Sequence, residues 1–245
     1  MMRTFKAELR KIWTVRSTYV IAFLVLGISV GLVSFWIFGY KDVEHAGKTS
    51  EALIRALLTS VMSSTIFLSF IALLSVGHEY RYNTILYSLT STNSRSKLFV
   101  AKWLATVLTA LVLSAVATAL AFGAFYLGQE IRGGTLLAQT MPEWDFAWRA
   151  IASVAGNLTF AFLIGMLLRS QVAAIATFLA LPMAVESLLF LVLKDNVKYL
   201  PFTALGNITD YMSRTSYTTS LAIVGAYAAV AGLVAYVLFL RRDAN

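Results

Sequence analysis

One carboxylate in this chain stands inside an apolar run. Glu186 lies four residues after Pro182, with Leu, Val, Ala and Phe on both sides. A charged side chain in such surroundings has to be neutralised, paired or turned toward water, so Glu186 marks either a conduction path or a polar helix contact. Asn157 stands near the middle of another apolar run, and Thr59, Ser60, Ser63, Ser64, Thr65 and Ser69 crowd a third. Glu186, Asn157 and Ser63 are the candidate pathway residues. The competing reading of the hydroxyls is helix–helix hydrogen bonding and close packing. Catalytic constellations are missing. The two histidines are His45 and His78, and His78-Glu79 fails as a zinc motif because H-E-x-x-H would place a second His where Tyr82 stands. Gly47-Lys48-Thr49 imitates the end of a phosphate loop, but the motif's first glycine would be Asp42. No metal or nucleotide site is expected on this chain. The absence of cysteine excludes disulfides, thiol catalysis and Cys-based metal sites. Asn207-Ile208-Thr209 matches a glycosylation sequon, a pattern common by chance.

The elements that must hold these residues follow from composition. Of 245 residues 59% are hydrophobic and 13% charged, about half the charge of a soluble protein. A soluble fold could not hide that much apolar surface, and disorder and a nucleic-acid-binding module are excluded with it. An α-helix needs about 20 mostly apolar residues to cross the hydrocarbon core. Six stretches meet this: 19–38, 56–76, 103–128, 150–168, 172–193 and 220–240. They are continuous runs without the ten-residue alternation of barrel strands. The expectation is a single all-α transmembrane domain over residues 1–245, with six spans in a cell membrane.

Charge sets the orientation. With both termini cytoplasmic, the inner segments hold twelve Lys/Arg against three acids, and the longer outer segments eight against eight. The Lys/Arg bias predicts N-in, C-in. Residues 2–17 place Phe5, Leu9, Ile12 and Trp13 on one helical face and Arg3, Lys6 and Arg10 on the other. That is an interfacial amphipathic helix on membrane lipids, serving as a topology signal or as a lever touching a partner. The inner loop 77–102 contains a short helix over Asn83–Leu89, with Ile85, Leu86 and Leu89 on one side. An apolar face exposed there either docks a protein or packs under the bundle. Gly27-x-x-x-Gly31, with Ala228 and Gly232 in the sixth span, permits close helix packing, within the chain or between two copies.

In series these features resemble the membrane subunit of type-2 ABC exporters, a bacterial six-span permease family. Glu8-Leu9-Arg10-Lys11 and Thr14-Val15-Arg16-Ser17 look like its connector helix entering the first span. Glu79-Tyr80-Arg81-x-x-Thr84-Ile85, then Leu89, Arg95 and Ala101-Lys102, look like its first cytoplasmic loop with the coupling helix. Leu168-Arg169-Ser170-Gln171-Val172-Ala173-Ala174, Pro182, Glu186 and Leu200-Pro201 resemble its fourth–fifth span turn, fifth span and outer re-entrant segment, here 194–219. Asn83 stands where the family commonly has glycine, and Thr92-Asn93 replaces its usual proline turn.

The resemblance implies half of an exporter for a drug, antimicrobial peptide or other amphipathic compound. Two copies, or one copy and a paralogue, would form the pathway. A separate cytoplasmic ABC ATPase, carrying the ATP and Mg, would dock on Glu79, Arg81, Thr84, Ile85, Leu86 and Leu89. The chain itself would be no enzyme. The competing class is a non-transporting anchor or sensor subunit, which the 77–102 loop fits equally. Glu186, Asn157 and the hydroxyl-rich second span favour a pathway, since an anchor needs no polar groups inside the membrane. An intramembrane hydrolase ranks third, for want of a usable His, Cys or paired Asp.

Overall fold

The computed structural model describes residues 1–39, 49–92, 94–131, 144–210, 213 and 215–241; the side chains of 36, 37, 39, 49–63, 129 and 144–147 fall outside the description. His45, Gly47, Lys48 and the side chain of Ser63 therefore lie outside the described residues. Among the described residues every regular element is helical. The order is α1 (Met2–Thr14), α2 (Arg16–Gly39), α3 (Thr49–Arg81), α4 (Ile85–Thr90), α5 (Arg95–Ile131), α6 (Trp144–Leu168), α7 (Gln171–Ala180), α8 (Ser187–Leu193), α9 (Pro201–Thr209) and α10 (Tyr217–Arg241). A π-helical turn, Leu181–Glu186, joins α7 to α8, and a 3-10 turn, Lys194–Tyr199, leads toward α9.

Five segments are long and apolar enough to cross a membrane: Arg16–Phe35, Arg95–Gly128, Trp148–Leu168, Gln171–Tyr199 and Tyr217–Arg241. They are the architecture of a multi-pass membrane protein. The remaining expected span, 56–76, falls within α3, one continuous helix of 33 residues. The helices outrun the apolar windows read from sequence, because hydropathy marks the hydrocarbon stretch and not the polar turns that continue a helix beyond it.

Local chemistry explains where the helices stop and bend. Val15 is extended, so α1 ends there and Arg16 begins a new helix, not the single element expected over 2–17. Asn83 takes φ 54° just after α3, the left-handed conformation that asparagine tolerates better than most residues. Arg169, at φ 52°, closes α6, and the Ser170 side chain accepts from the Ala173 amide to open α7. Pro182 lacks the amide that would continue the α ladder, and the widened turn Leu181–Glu186 forms around it.

The bundle has two ends. At one, Lys102 near the start of α5 meets Glu8 of α1 and Glu79 of α3, and Arg95 donates to the Leu240 carbonyl in α10. At the other, α9 packs on α6 and α10 through Phe160, Ala204, Leu205, Ile208 and Val224. Between them, one cluster joins α3, α5, α6, α7 and α10 around Phe99, whose ring meets Phe162 edge-on at 5.3 Å and Tyr236 at 5.6 Å. A second, through Ile12, Val25, Leu68, Ala105 and Leu158, seals α1 and α2 against α3, α5 and α6.

At Gly77 α3 passes close against α7. A Cβ there would stand 2.9 Å from Gln171 Cβ and 3.0 Å from its Cα, so backbone and not a movable side-chain tip is in the way. Gly77→Ala should therefore lower stability by about 1–3 kcal/mol, the usual cost of overpacking. A melting temperature in detergent equal to that of the parent would show that α7 shifts freely.

Candidate functional site

Four charged side chains converge at the α1 end. The Lys102 ammonium donates to Glu8 Oε2 at 2.5 Å and to Glu79 Oε1 at 2.8 Å. The Lys11 ammonium donates to Glu8 Oε1 at 2.7 Å, Glu79 Oε1 at 3.0 Å and the Ser88 hydroxyl at 2.8 Å. Ser88 in turn donates to Glu79 Oε1 at 3.3 Å. Glu8, Glu79, Ser88 and Lys102 are all buried. Two carboxylates and two ammonium groups leave this node neutral, the condition under which charges can be buried at all. It ties α1, α3, α4 and α5 together.

Electrostatics follow the geometry. Burial pushes the Glu79 carboxyl up, but Lys102 and then Lys11 outweigh it and hold the group below the ordinary carboxylate range. Burial pulls Lys11 down, and its bond to Glu8 with the charges of Glu79 and Glu8 outweighs that, leaving it above the ordinary lysine value. Burial, helped by Arg81, keeps the His78 imidazole below its usual value and hence neutral at pH 7. Glu79 Oε2 is buried without a hydrogen-bond donor, so the node holds one unsatisfied acceptor. A cavity of about 580 Å³ lies alongside, lined by Lys11, Thr18, Ile71, His78, Glu79 and Ser88 among others.

The node divides the expected docking residues. Glu79 is a buried ion-pair partner and Ile85 a core residue, so neither presents a surface. Leu89 packs against the same core. Arg81 and Thr84 are exposed, but Arg81 turns toward Gln171, its guanidinium 3.4 Å from Gln171 Oε1. The apolar face read over Asn83–Leu89 is thus mostly inward, because Ser88 reaches Glu79 and turns its side of the helix to the bundle. What remains outward is Leu86, Tyr87 (77% exposed) and Tyr82 (63% exposed). Tyr82 and Tyr87 are aromatic and fall outside the aliphatic spacing of Ile85, Leu86 and Leu89, so that spacing does not mark them.

The intramembrane polar groups are largely satisfied within the fold. Glu186 is buried and accepts from the Phe202 amide at 2.8 Å, the Thr203 amide at 2.7 Å and the Thr203 hydroxyl at 2.7 Å. Arg149 lies over the Tyr217 ring and Lys198 over the Tyr199 ring. Glu186 is the cap of α9. Leu200 occupies the N-cap position without a side-chain acceptor, Pro201 has no amide proton, and the next two amides both end on this carboxylate. Asn157 donates to the Ser153 carbonyl one turn back in its own helix. Ser64 bonds Ser29 across α2 and α3 at 2.7 Å, as helix-packing hydroxyls do. Gly27 and Gly31 have open space where a Cβ would stand and face outward, so they do not pack against α10 within the chain.

Among the described residues no group of three or more His, Cys, Asp or Glu is arranged to hold a metal. No curated protein matches the chain. A family model described as a protein of unknown function, DUF2705, matches residues 19–244, nearly the whole chain and every helix after α1 and the start of α2. The chain belongs to the DUF2705 family.

Proposed function

We propose that this chain is the membrane-spanning permease subunit of an ATP-driven exporter, with six spans and both termini cytoplasmic. Two copies, or one copy and a paralogue, enclose the pathway, and a separate ATPase binds from the cytoplasm. One observation carries the reading. α4 presents Leu86, Tyr87 and the preceding Tyr82 outward while its opposite face is fixed by Ser88 to the buried Glu79–Lys102–Glu8 node. A partner pushing on α4 therefore pushes on α1, α3 and α5 together, which is what converting ATP-driven motion into movement of spans requires. Gly27 and Gly31, open and outward on α2, suit close approach by a second copy. Substrates would be drugs, antimicrobial peptides or other amphipathic compounds that partition into the bilayer.

The test is binding. Leu86→Asp with Tyr87→Asp puts two charges on the outward face and leaves the inward face intact. The doubly substituted protein should insert and melt normally but lose an ABC ATPase encoded beside its gene, on co-purification, by at least tenfold. Undiminished ATPase binding and coupled hydrolysis overturn the reading.

A second reading draws on a specific observation. Glu186 and Asn157 are engaged inside the fold and so no longer argue for a pathway. A non-transporting anchor or sensor would use the same α4 face. It predicts ATPase-independent partner binding and no substrate-stimulated ATP hydrolysis in reconstituted vesicles.

A further inference from the structure

The two-residue turn between α6 and α7 forms a second, smaller site. A cleft of about 450 Å³ is lined by Tyr80, Arg81, Arg169, Ser170, Gln171 and Val172. Two guanidinium groups border it and its lining contains no carboxylate. Arg169 sits over the Tyr80 ring at 5.4 Å, and Arg81 is held toward the cleft by Gln171. Arg169 is fixed in a left-handed backbone conformation that a long side chain adopts at a cost, so its placement is imposed by the surrounding structure. The nearest acid along α3, Glu79, is committed to Lys102 and Lys11 on another face.

The surroundings identify the anion. Arg169 and Ser170 join two segments that are each long and apolar enough to cross a membrane, which puts the cleft at the level where a bilayer changes from acyl chain to headgroup. Immediately beside it Leu168 and Val172 are exposed, Val172 by 76%. The exposed face continues down the helix through Ala176 and Ala180 to Met183, a strip that lies one helical turn apart at each step. Cations above and an outward apolar strip below match an amphiphile with a phosphate head. They do not match a free ion, which has no use for the strip.

We propose that Arg81 and Arg169 bind the phosphate of an anionic phospholipid whose acyl chain lies along α7 and into the π-helical turn, from Val172 to Met183. Basic clefts between spans hold acidic headgroups by this chemistry. The site belongs to the membrane reading of the chain and does not depend on an ATPase partner.

The experiment uses the full chain in neutral detergent at 0.3 M salt, where general attraction to the basic end is screened. Native mass spectrometry counts retained lipid after addition of phosphatidylglycerol or phosphatidylcholine, and melting is followed with each lipid and with inorganic phosphate. Phosphatidylglycerol should be retained and should raise the melting temperature; phosphatidylcholine and inorganic phosphate should not. Arg81→Gln and Arg169→Gly should each weaken retention roughly fivefold. Glycine at 169 relaxes the backbone, so that variant should melt no lower than the parent in the absence of lipid. Arg3→Gln with Lys6→Gln, on the outer face of α1, should leave retention unchanged. Equal stabilisation by inorganic phosphate, equal retention of phosphatidylcholine, or retention unaffected by Arg169→Gly overturns the proposal. ATPase binding plays no part in any of these readouts.

Discussion

Replacing Lys102 by methionine should destabilise the protein by about 3–5 kcal/mol, the cost of stranding a buried charge once its partner is removed. Lys102 is 3% exposed and holds both Glu8 and Glu79, so its loss leaves two buried carboxylates facing one ammonium. Methionine keeps the length and fills the space, which isolates the charge effect from a cavity. The melting temperature should fall on the order of 10 °C. Lys102→Met combined with Glu79→Gln restores neutrality and lets Glu8 keep Lys11, so the pair should recover most of the loss. Additive effects in that cycle, or a single variant melting like the parent, would show that the charges do not act as a unit.

The same node sets a pH dependence whose sign can be worked out. Glu79 is held low in the folded protein, so it contributes stability above the ordinary carboxylate range and loses it as pH falls through its folded value. Lys11 is held high, so it contributes below the ordinary lysine value and loses it as pH rises through its folded value. The node's own contribution should be flat between roughly pH 5 and pH 10 and fall on both sides, while His78, held low in the fold, should add a gentler loss of melting temperature as pH falls below the ordinary imidazole range. In the Lys102→Met variant the acid limb should move toward neutral pH, since the first cation holding Glu79 down is gone.

What was legible in the sequence is what periodicity and hydropathy carry. The helical class, five of the apolar segments and the break at Pro182 follow from runs of apolar residues and one missing amide. The node was not legible. Glu8, Lys11, Glu79, Ser88 and Lys102 are spread over 94 positions, and each looks like an ordinary interfacial charge or hydroxyl until α1, α3, α4 and α5 are folded together. Glu186 shows the opposite limit. Its type and setting announced a special role, but its partners are backbone amides, which every residue carries and no sequence pattern marks. α4 failed in a third way. Apolar spacing found the helix but left open whether its face docks a partner or packs under the bundle, because the deciding contact is the polar one between Ser88 and Glu79.

Glu186→Gln should release α9 without unfolding the bundle. The parent carboxylate gives one oxygen to the Phe202 amide and the other to the amide and hydroxyl of Thr203. A glutamine has one acceptor oxygen, and whichever way the group turns, its NH2 faces a backbone N–H. It also removes the negative charge from the helix N-terminus. Hydrogen bonds to charged groups are each worth about 1.5–3 kcal/mol, so about 2 kcal/mol of local opening is expected, or roughly a thirtyfold larger open population. The chain contains no cysteine, which makes the measurement direct. Leu205 is 2% exposed one turn into α9, so Leu205→Cys creates a single thiol shielded by the closed segment. Maleimide labelling of that thiol should speed up by about thirtyfold in the Glu186→Gln background, while the melting temperature of the remaining bundle changes little. On the exporter reading proposed above, transport in reconstituted vesicles that falls as labelling speeds up would assign Glu186 to positioning α9. Transport lost with labelling unchanged would instead place the charge in contact with a substrate, and neither changing would leave the carboxylate without the clamping role its three hydrogen bonds describe.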